Sequence, residues 1–386
     1  MGSDRKKVIG WTCTYIPEEV IMAAGGHPRR MMGTQAPVRE ADRYLPSNIC
    51  PYVRSIVDQG FRERVDGIVV ASSCNAAAHL FDAWRQAFPD SFCHIMGIPR
   101  AYTKNALNYY AAEIRRLIES LQGYTGENIS RDRLWSAIRE AQEVKDFLNR
   151  VYKQMGQSHL ADAAQEFAST PGRFYGLVRM VLSGERDEAL RRLAGMIRGY
   201  GRYIDDDTGV GGFGGRSFYK ADGPSGFGHP RVYLMGSPCA DSIIDTIEEL
   251  GAIIAGDDLC FGSRYFQTGV ECVTLETEED PVSYLAKIYL SKPPCARMLH
   301  REGRIREILS HLREIKADGV IFHSLKFCDP YLYEYPILRR SLEDQGIPVL
   351  LLEGDYTRGG VEQARTRIGA FMEMLQAQQS AAPVRG

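Results

Sequence analysis

Several things are missing from this 386-residue sequence, and each absence narrows its chemistry. None of its nine cysteines form a Cys-x-x-Cys pair, so neither a zinc ribbon nor a ferredoxin-type cysteine run is present. There is no Gly-x-x-x-x-Gly-Lys-Ser/Thr, which argues against ATP hydrolysis through a Walker A loop. No apolar run approaches the roughly 18 residues that cross a bilayer. The opening "MGSDRKKVIGWTC" lacks the apolar core of a signal peptide, and a myristoylation signal lacks its Ser or Thr. A formal net charge of −2 offers nothing to nucleic acid. A cytoplasmic protein without a membrane or nucleic-acid partner is expected.

What is present reads as a soluble globular chain, 44% hydrophobic and 25% charged, long enough for two domains and an inserted third. Short apolar runs bounded by turn signals predict buried parallel strands at 7–11, 66–71 and 92–97. Further strands are predicted at 231–236, 252–256, 318–323 and 348–353. Helical patterns at 242–250 and 303–315 alternate with them. The fold class is therefore α/β, with two related open parallel sheets of Rossmann or flavodoxin type.

From 105 to about 203 the pattern becomes charged and helical throughout, as in "RLWSAIREAQEVKDFLNRVY". The expected organisation is an N-terminal α/β domain (1–104), a helical section (105–204), a Gly-rich linker or lid (205–230) and a C-terminal α/β domain (231–386). The Gly-rich stretch follows an acidic run and not a strand, so its glycines do not read as a phosphate loop.

The two α/β parts look like copies of one plan. Gly10-Trp11-Thr12-Cys13 matches Gly236-Ser237-Pro238-Cys239, and both parts carry an Asp-Gly strand running out to a cysteine, Cys74 and Cys328. In an open α/β sheet, functional groups gather beyond the carboxyl ends of the strands. Cys13, Cys74 and Cys328 sit there, before expected helix starts whose free N–H groups stabilise thiolates. Cys50 and Cys295 lie in proline-bounded loops and Cys260 follows a strand end; these three divide between ligand and structural roles. Cys93 and Cys272 read as core, and Cys239 is set aside.

Six thiols are thus candidates to converge: Cys13, Cys50, Cys74, Cys260, Cys295 and Cys328. With no histidine or carboxylate at metal spacing, thiolates select iron–sulfur clusters over hard metals. Six suit either one complete [4Fe-4S] cluster with spares or two cubanes with three protein ligands each.

Five motifs carry a family resemblance: "GWTCTYIPEEVIMAAGGHPRR", "SSCNAAAHLFDAW", "GDDLCFGSRYF", "DGVIFHSLKFCDP" and "GIPVLLLEGDYTRGGVEQARTRIGAFMEML". In this order the chain resembles the family of 2-hydroxyacyl-CoA dehydratases and class I benzoyl-CoA reductases over nearly its whole length. The resemblance implies that Cys13, Cys74 and Cys328 are the ligands of a [4Fe-4S] cluster. With Cys50, Cys260 and Cys295 added, the set is similar to the double-cubane [8Fe-9S] branch. It further implies a separate ATP-hydrolysing iron–sulfur activator that supplies low-potential electrons, an identical or related partner subunit, and a small or acyl-CoA substrate. The activities implied are reduction, radical dehydration as part of a heteromeric dehydratase, or electron transfer without catalysis.

Other residues are weighed more simply. Glu18 and Glu19 read as first-turn helix acids or proton-transfer groups, and His323 as a core residue or a cleft-lining one. Asp257 and Asp258 read as helix caps or as supports for Cys260. Arg264 and Arg297 either offset an anionic cluster or are solvated, and Arg29 and Arg30 invite CoA phosphates by charge alone.

Overall fold

The computed structural model describes residues 5–157, 171–199, 229–268, 279–357 and 360–381. Most of the Gly-rich stretch, and Cys272, lie outside them.

The first half contains β1 (Val8–Trp11), α1 (Glu18–Ala23), β2 (His27–Arg30), α2 (Pro51–Arg62), β3 (Gly67–Ala71), α3 (Asn75–Ala87) and β4 (Phe92–Met96). The four strands form a parallel sheet in the order β2-β1-β3-β4. All of β1 and β3 is buried, as expected for strands covered on both faces. Sequence periodicity missed β2. "HPRR" has a proline and two arginines and no apolar alternation, and it forms at the sheet edge, where proline costs no ladder bond.

Among the described residues four helices follow: α4 (Lys104–Thr125), α5 (Arg131–Gln157), α6 (Pro171–Leu182) and α7 (Arg186–Gly199). Thr103 starts α4 by accepting the Ala106 amide at 3.2 Å, and Gly126 stops it in the left-handed conformation.

The second half holds β5 (Arg231–Gly236), α8 (Asp241–Glu249), β6 (Ile253–Asp258), α9 (Ser263–Phe266), α10 (Pro281–Leu290), α11 (Arg301–Glu314), β7 (Gly319–Leu325), α12 (Asp329–Glu343), β8 (Val349–Gly354) and α13 (Val361–Ala381). Its sheet is again parallel, in the order β6-β5-β7-β8. Counting strands within each half, both sheets follow 2-1-3-4, so the internal likeness of the sequence is matched by topology.

The halves do not stand apart. One continuous apolar core runs from Ile9 and Trp11 through α4, α5 and α6 to Phe261, Leu285 and Leu375. Helix α4 packs on α10, and α5 packs on both α1 and β6. A second apolar cluster, with Tyr233, Val320 and Phe322, packs with Leu312 of α11 and Leu338 of α12. Gly236 ends β5 at φ 127°, and a Cβ there would stand 1.9 Å from the His323 carbonyl oxygen, so no other residue turns the chain at this point.

Candidate metal centre

Four of the six candidate thiols lie two or three residues beyond a strand end: Cys13 after β1, Cys74 after β3, Cys260 after β6 and Cys328 after β7. Cys50 and Cys295 arrive by another route, from the start of α2 and from the loop between α10 and α11. Cys50 is buried and the other five are half-buried; none of the six is in a disulfide.

Electrostatic contacts sort the thiols into two sets of three. Burial pushes the Cys13 thiol's pKa up, Arg30 opposes this, and the neighbouring Cys260 adds to it. Cys295 is likewise raised by burial, against Arg264, with further pressure from Cys260 and Cys13. In the other set, Cys50 and Cys328 hydrogen-bond through their side chains. That bond holds Cys50 down and Cys328 up. Cys74 is raised by burial and by the charge of Cys50, and it raises Cys328 in turn. The sets are Cys13–Cys260–Cys295 and Cys50–Cys74–Cys328, and each draws thiols from both halves of the chain. The Cys13, Cys74 and Cys328 set implied by resemblance therefore straddles the two groups.

The groups are supported differently. Cys50, Cys74 and Cys328 are the residues immediately before α2, α3 and α12, helices of 12, 13 and 15 residues. Amides in the first turns of those helices, at Tyr52 and Val53, at Ala76 and Ala77, and at Tyr331, each act to lower the thiol beside them. Three helix N-termini thus meet at one thiol set, where negative charge is favoured. Cys13 is not at a helix start: Ile16 N–H closes a turn onto its carbonyl at 2.8 Å, and α1 begins only at Glu18.

The Cys13 group has arginines instead. Arg30, Arg264 and Arg297 are buried, with 2%, 2% and 6% exposure, which rules out the solvated reading for Arg264 and Arg297. Arg264 approaches Asp258 at 3.1 Å and is an electrostatic neighbour of Cys260 and Cys295. Arg297 donates to three carbonyls, Ser73 at 3.2 Å, Pro99 at 3.1 Å and Ile98 at 2.7 Å, and acts on Cys13. Asp257 Oδ1 accepts the Leu259 and Ser263 amides, both at 2.9 Å, and so shapes the loop that carries Cys260.

Among the described residues, no three His, Cys, Asp or Glu side chains form a site for a single metal ion. The surroundings nonetheless fit an anionic thiolate-bound group of several atoms. Among the described residues Arg264 Nη1, sealed from water, has no hydrogen-bond partner, and three helix starts present positive potential.

The weaker candidates fall elsewhere. Glu18 and Glu19 do form the first turn of α1, but both are buried in a charge network. Glu19 accepts from Lys145 at 2.6 Å and from the Tyr289 hydroxyl at 2.7 Å. Glu18 accepts from Arg186 and from the Tyr265 hydroxyl, both at 2.8 Å. Burial opposes the Glu18 charge, but Arg186 and Lys145 outweigh it and hold its pKa below the usual range. His323 lies inside β7, where burial lowers its pKa to about 4, and none of the six thiols is among the groups acting on it. Cys93 lies on β4, its Sγ 4.0 Å from the Phe81 carbonyl, and is half-buried against the core. Lys292, which sequence reading passed over, is buried beside the Cys295 loop. It donates to the Tyr265 carbonyl at 2.8 Å, and burial and Lys145 depress its pKa to about 7.

Curated relatives align over almost the full length. The (R)-phenyllactyl-CoA dehydratase beta subunit of Clostridium sporogenes is 27% identical over 97% of this chain and 93% of its own. A benzoyl-CoA reductase subunit from Thauera aromatica is 25% identical over 96% and 91%. The (R)-2-hydroxyglutaryl-CoA dehydratase beta subunit of Acidaminococcus fermentans is 22% identical over 96% and 93%. Residues 13–375 match the family described as 2-hydroxyglutaryl-CoA dehydratase, D-component, and the chain belongs to that family.

Proposed function

We propose that the chain is an iron–sulfur reductase, or the reducing subunit of one, holding two cubanes as a double-cubane [8Fe-9S] centre. Cys13, Cys260 and Cys295 would hold one, and Cys50, Cys74 and Cys328 the other. The observation that carries this reading is the partition of six thiols into two sets of three, each with its own source of positive charge. When bound, such a centre supplies low-potential one-electron chemistry.

The chain's own residues do the rest. Arg264 and Arg297 on one side, and the starts of α2, α3 and α12 on the other, would offset the negative charge of such a group. Tyr15, Tyr52 and Tyr110 stay protonated around the Cys13 group, since burial drives each hydroxyl's pKa above its ordinary value. They are therefore hydrogen-bond donors and not bases. Glu18 and Glu19 are committed to their ion pairs, which favours a structural role over proton transfer. Electrons would come from a separate ATP-hydrolysing iron–sulfur activator in the cytoplasm, the chain would pair with a second subunit of its family, and the substrate would be small or CoA-linked.

A second reading is a subunit of a heteromeric 2-hydroxyacyl-CoA dehydratase with a single [4Fe-4S] cluster, favoured by the dehydratase subunits among the relatives. Anaerobic iron and sulfide analysis separates the two. Two cubanes give about eight iron per chain and one cubane about four, from cubane stoichiometry. Four would reject the double-cubane reading, and a colourless, iron-free protein would reject both.

A further inference from the structure

A cavity of about 1140 Å³ opens at the edge strand of the first sheet. Its walls come from β2 and the loop after it, from α2, from α6 and from the loop after β8. Three guanidinium groups line it: Arg29, Arg30 and Arg179. Two of them are already matched at the wall, Arg29 by Glu63 at 3.5 Å and Arg179 by Asp241.

Arg30 is not matched. It is 2% exposed, and its Nε and Nη1 have no hydrogen-bond partner among the described residues. Its guanidinium lies over the Trp11 ring at 4.5 Å and the Phe261 ring at 5.2 Å, which hold it flat without neutralising it. A buried cation of this kind costs several kcal/mol unless an anion joins it. Arg30 lines the cavity and pairs in register with Trp11, two residues before Cys13, on which its charge acts.

We propose that this cavity binds a small organic carboxylate and that Arg30 is the positioning residue that fixes its carboxyl end next to the Cys13 group. One unmatched guanidinium suits one negative charge, and Nη2, the one nitrogen of the group that is not sealed off, offers a charged donor to a carboxylate oxygen. A phosphate dianion would leave a charge unmatched, because the other two arginines are already paired. Met32, Met180 and Tyr356 give the organic part an apolar wall. Naming this ligand a substrate rests on the proposed cluster at Cys13, whereas its binding does not.

The test is anaerobic titration calorimetry of the full, iron-loaded chain with butyrate and, separately, inorganic phosphate. Butyrate should bind once per chain, and phosphate at least about tenfold more weakly. Arg30→Gln should weaken butyrate by roughly tenfold to a hundredfold, the usual worth of a charged hydrogen bond. Arg30→Lys should recover part of that loss. If Arg30→Gln sheds iron or fails to fold, Gly176→Leu decides alone. Gly176 lines the cavity on α6, and a Cβ there meets nothing within 4 Å, so a leucine side chain starts into open space. It should keep full iron and lose butyrate.

Absent butyrate binding at millimolar concentration, tighter phosphate than butyrate, or unchanged butyrate affinity in the deciding variant overturns the proposal. Unchanged affinity in Arg30→Gln with an altered cluster signal would mean that the metal group alone matches Arg30. Iron is measured on the same samples. Full iron without butyrate sinks the cavity site and leaves the clusters, while bound butyrate without iron does the reverse.

Discussion

Arg297 Nε donates to the Ser73 carbonyl at 3.2 Å, and this one bond ties the loop carrying Cys295 to the loop carrying Cys74. The residues around it repeat the link: Arg100 Nε donates to the Arg297 carbonyl, and the Leu299 amide to the Arg100 carbonyl, both at 2.8 Å. The second half of the chain is thereby latched onto the end of the first sheet, where the two thiol groups lie.

Arg297→Met should break that latch. Three carbonyls lose their donor, one of them, Ile98, in a buried bond, and at about 1–3 kcal/mol for a buried group the loss should reach at least roughly 1 kcal/mol. A drop in Tm of the apo chain, read by circular dichroism, is the expected result. An unchanged Tm would show that the latch adds nothing.

Single cysteine variants should respond by group. Cys328→Ala should release the iron held with Cys50 and Cys74, about four of eight, and spare the rest. Cys260→Ala should do the converse. Cys93→Ala should keep all iron, because Cys93 lies in β4 away from both groups. Iron loss from the Cys93 variant would mean the thiols are sorted wrongly.

The Glu19–Lys145 pair should prove structural. Lys145→Met leaves two buried carboxylates short of a cation, at a cost of roughly 3–5 kcal/mol. Adding Glu19→Gln should restore part of the stability, since the two changes touch the same bond. Denaturant midpoints of the single and double variants decide this. Losses that simply add would remove the pairing argument.

His323 should make the fold acid-sensitive. Its pKa is about 4 in the folded chain and about 6.5 when unfolded. Between those values the unfolded chain binds more protons, so stability is complete above about pH 6.5 and falls as pH drops toward 4. The full window is worth roughly 3 kcal/mol. His323→Leu should flatten the difference between urea midpoints at pH 7 and pH 5, and an unaltered difference would place the sensitivity elsewhere.

The sequence by itself determined the α/β class, seven of the eight strands among the described residues, and the rule that cysteines follow strand ends. These are local matters: an apolar run between turn residues, or a cysteine a few positions beyond it, is legible from neighbours in the chain. Edge strand β2 escaped because an arginine-rich segment pairs only once the sheet offers it an edge. Tertiary structure alone decided which thiols meet, since Cys13 and Cys260 are neighbours only because the two halves fold onto a shared core. It also decided that Arg30, Arg264 and Arg297 are buried. Charge is visible in a sequence, but the cost of removing it from water, and the group that offsets that cost, depend on what the fold closes around it.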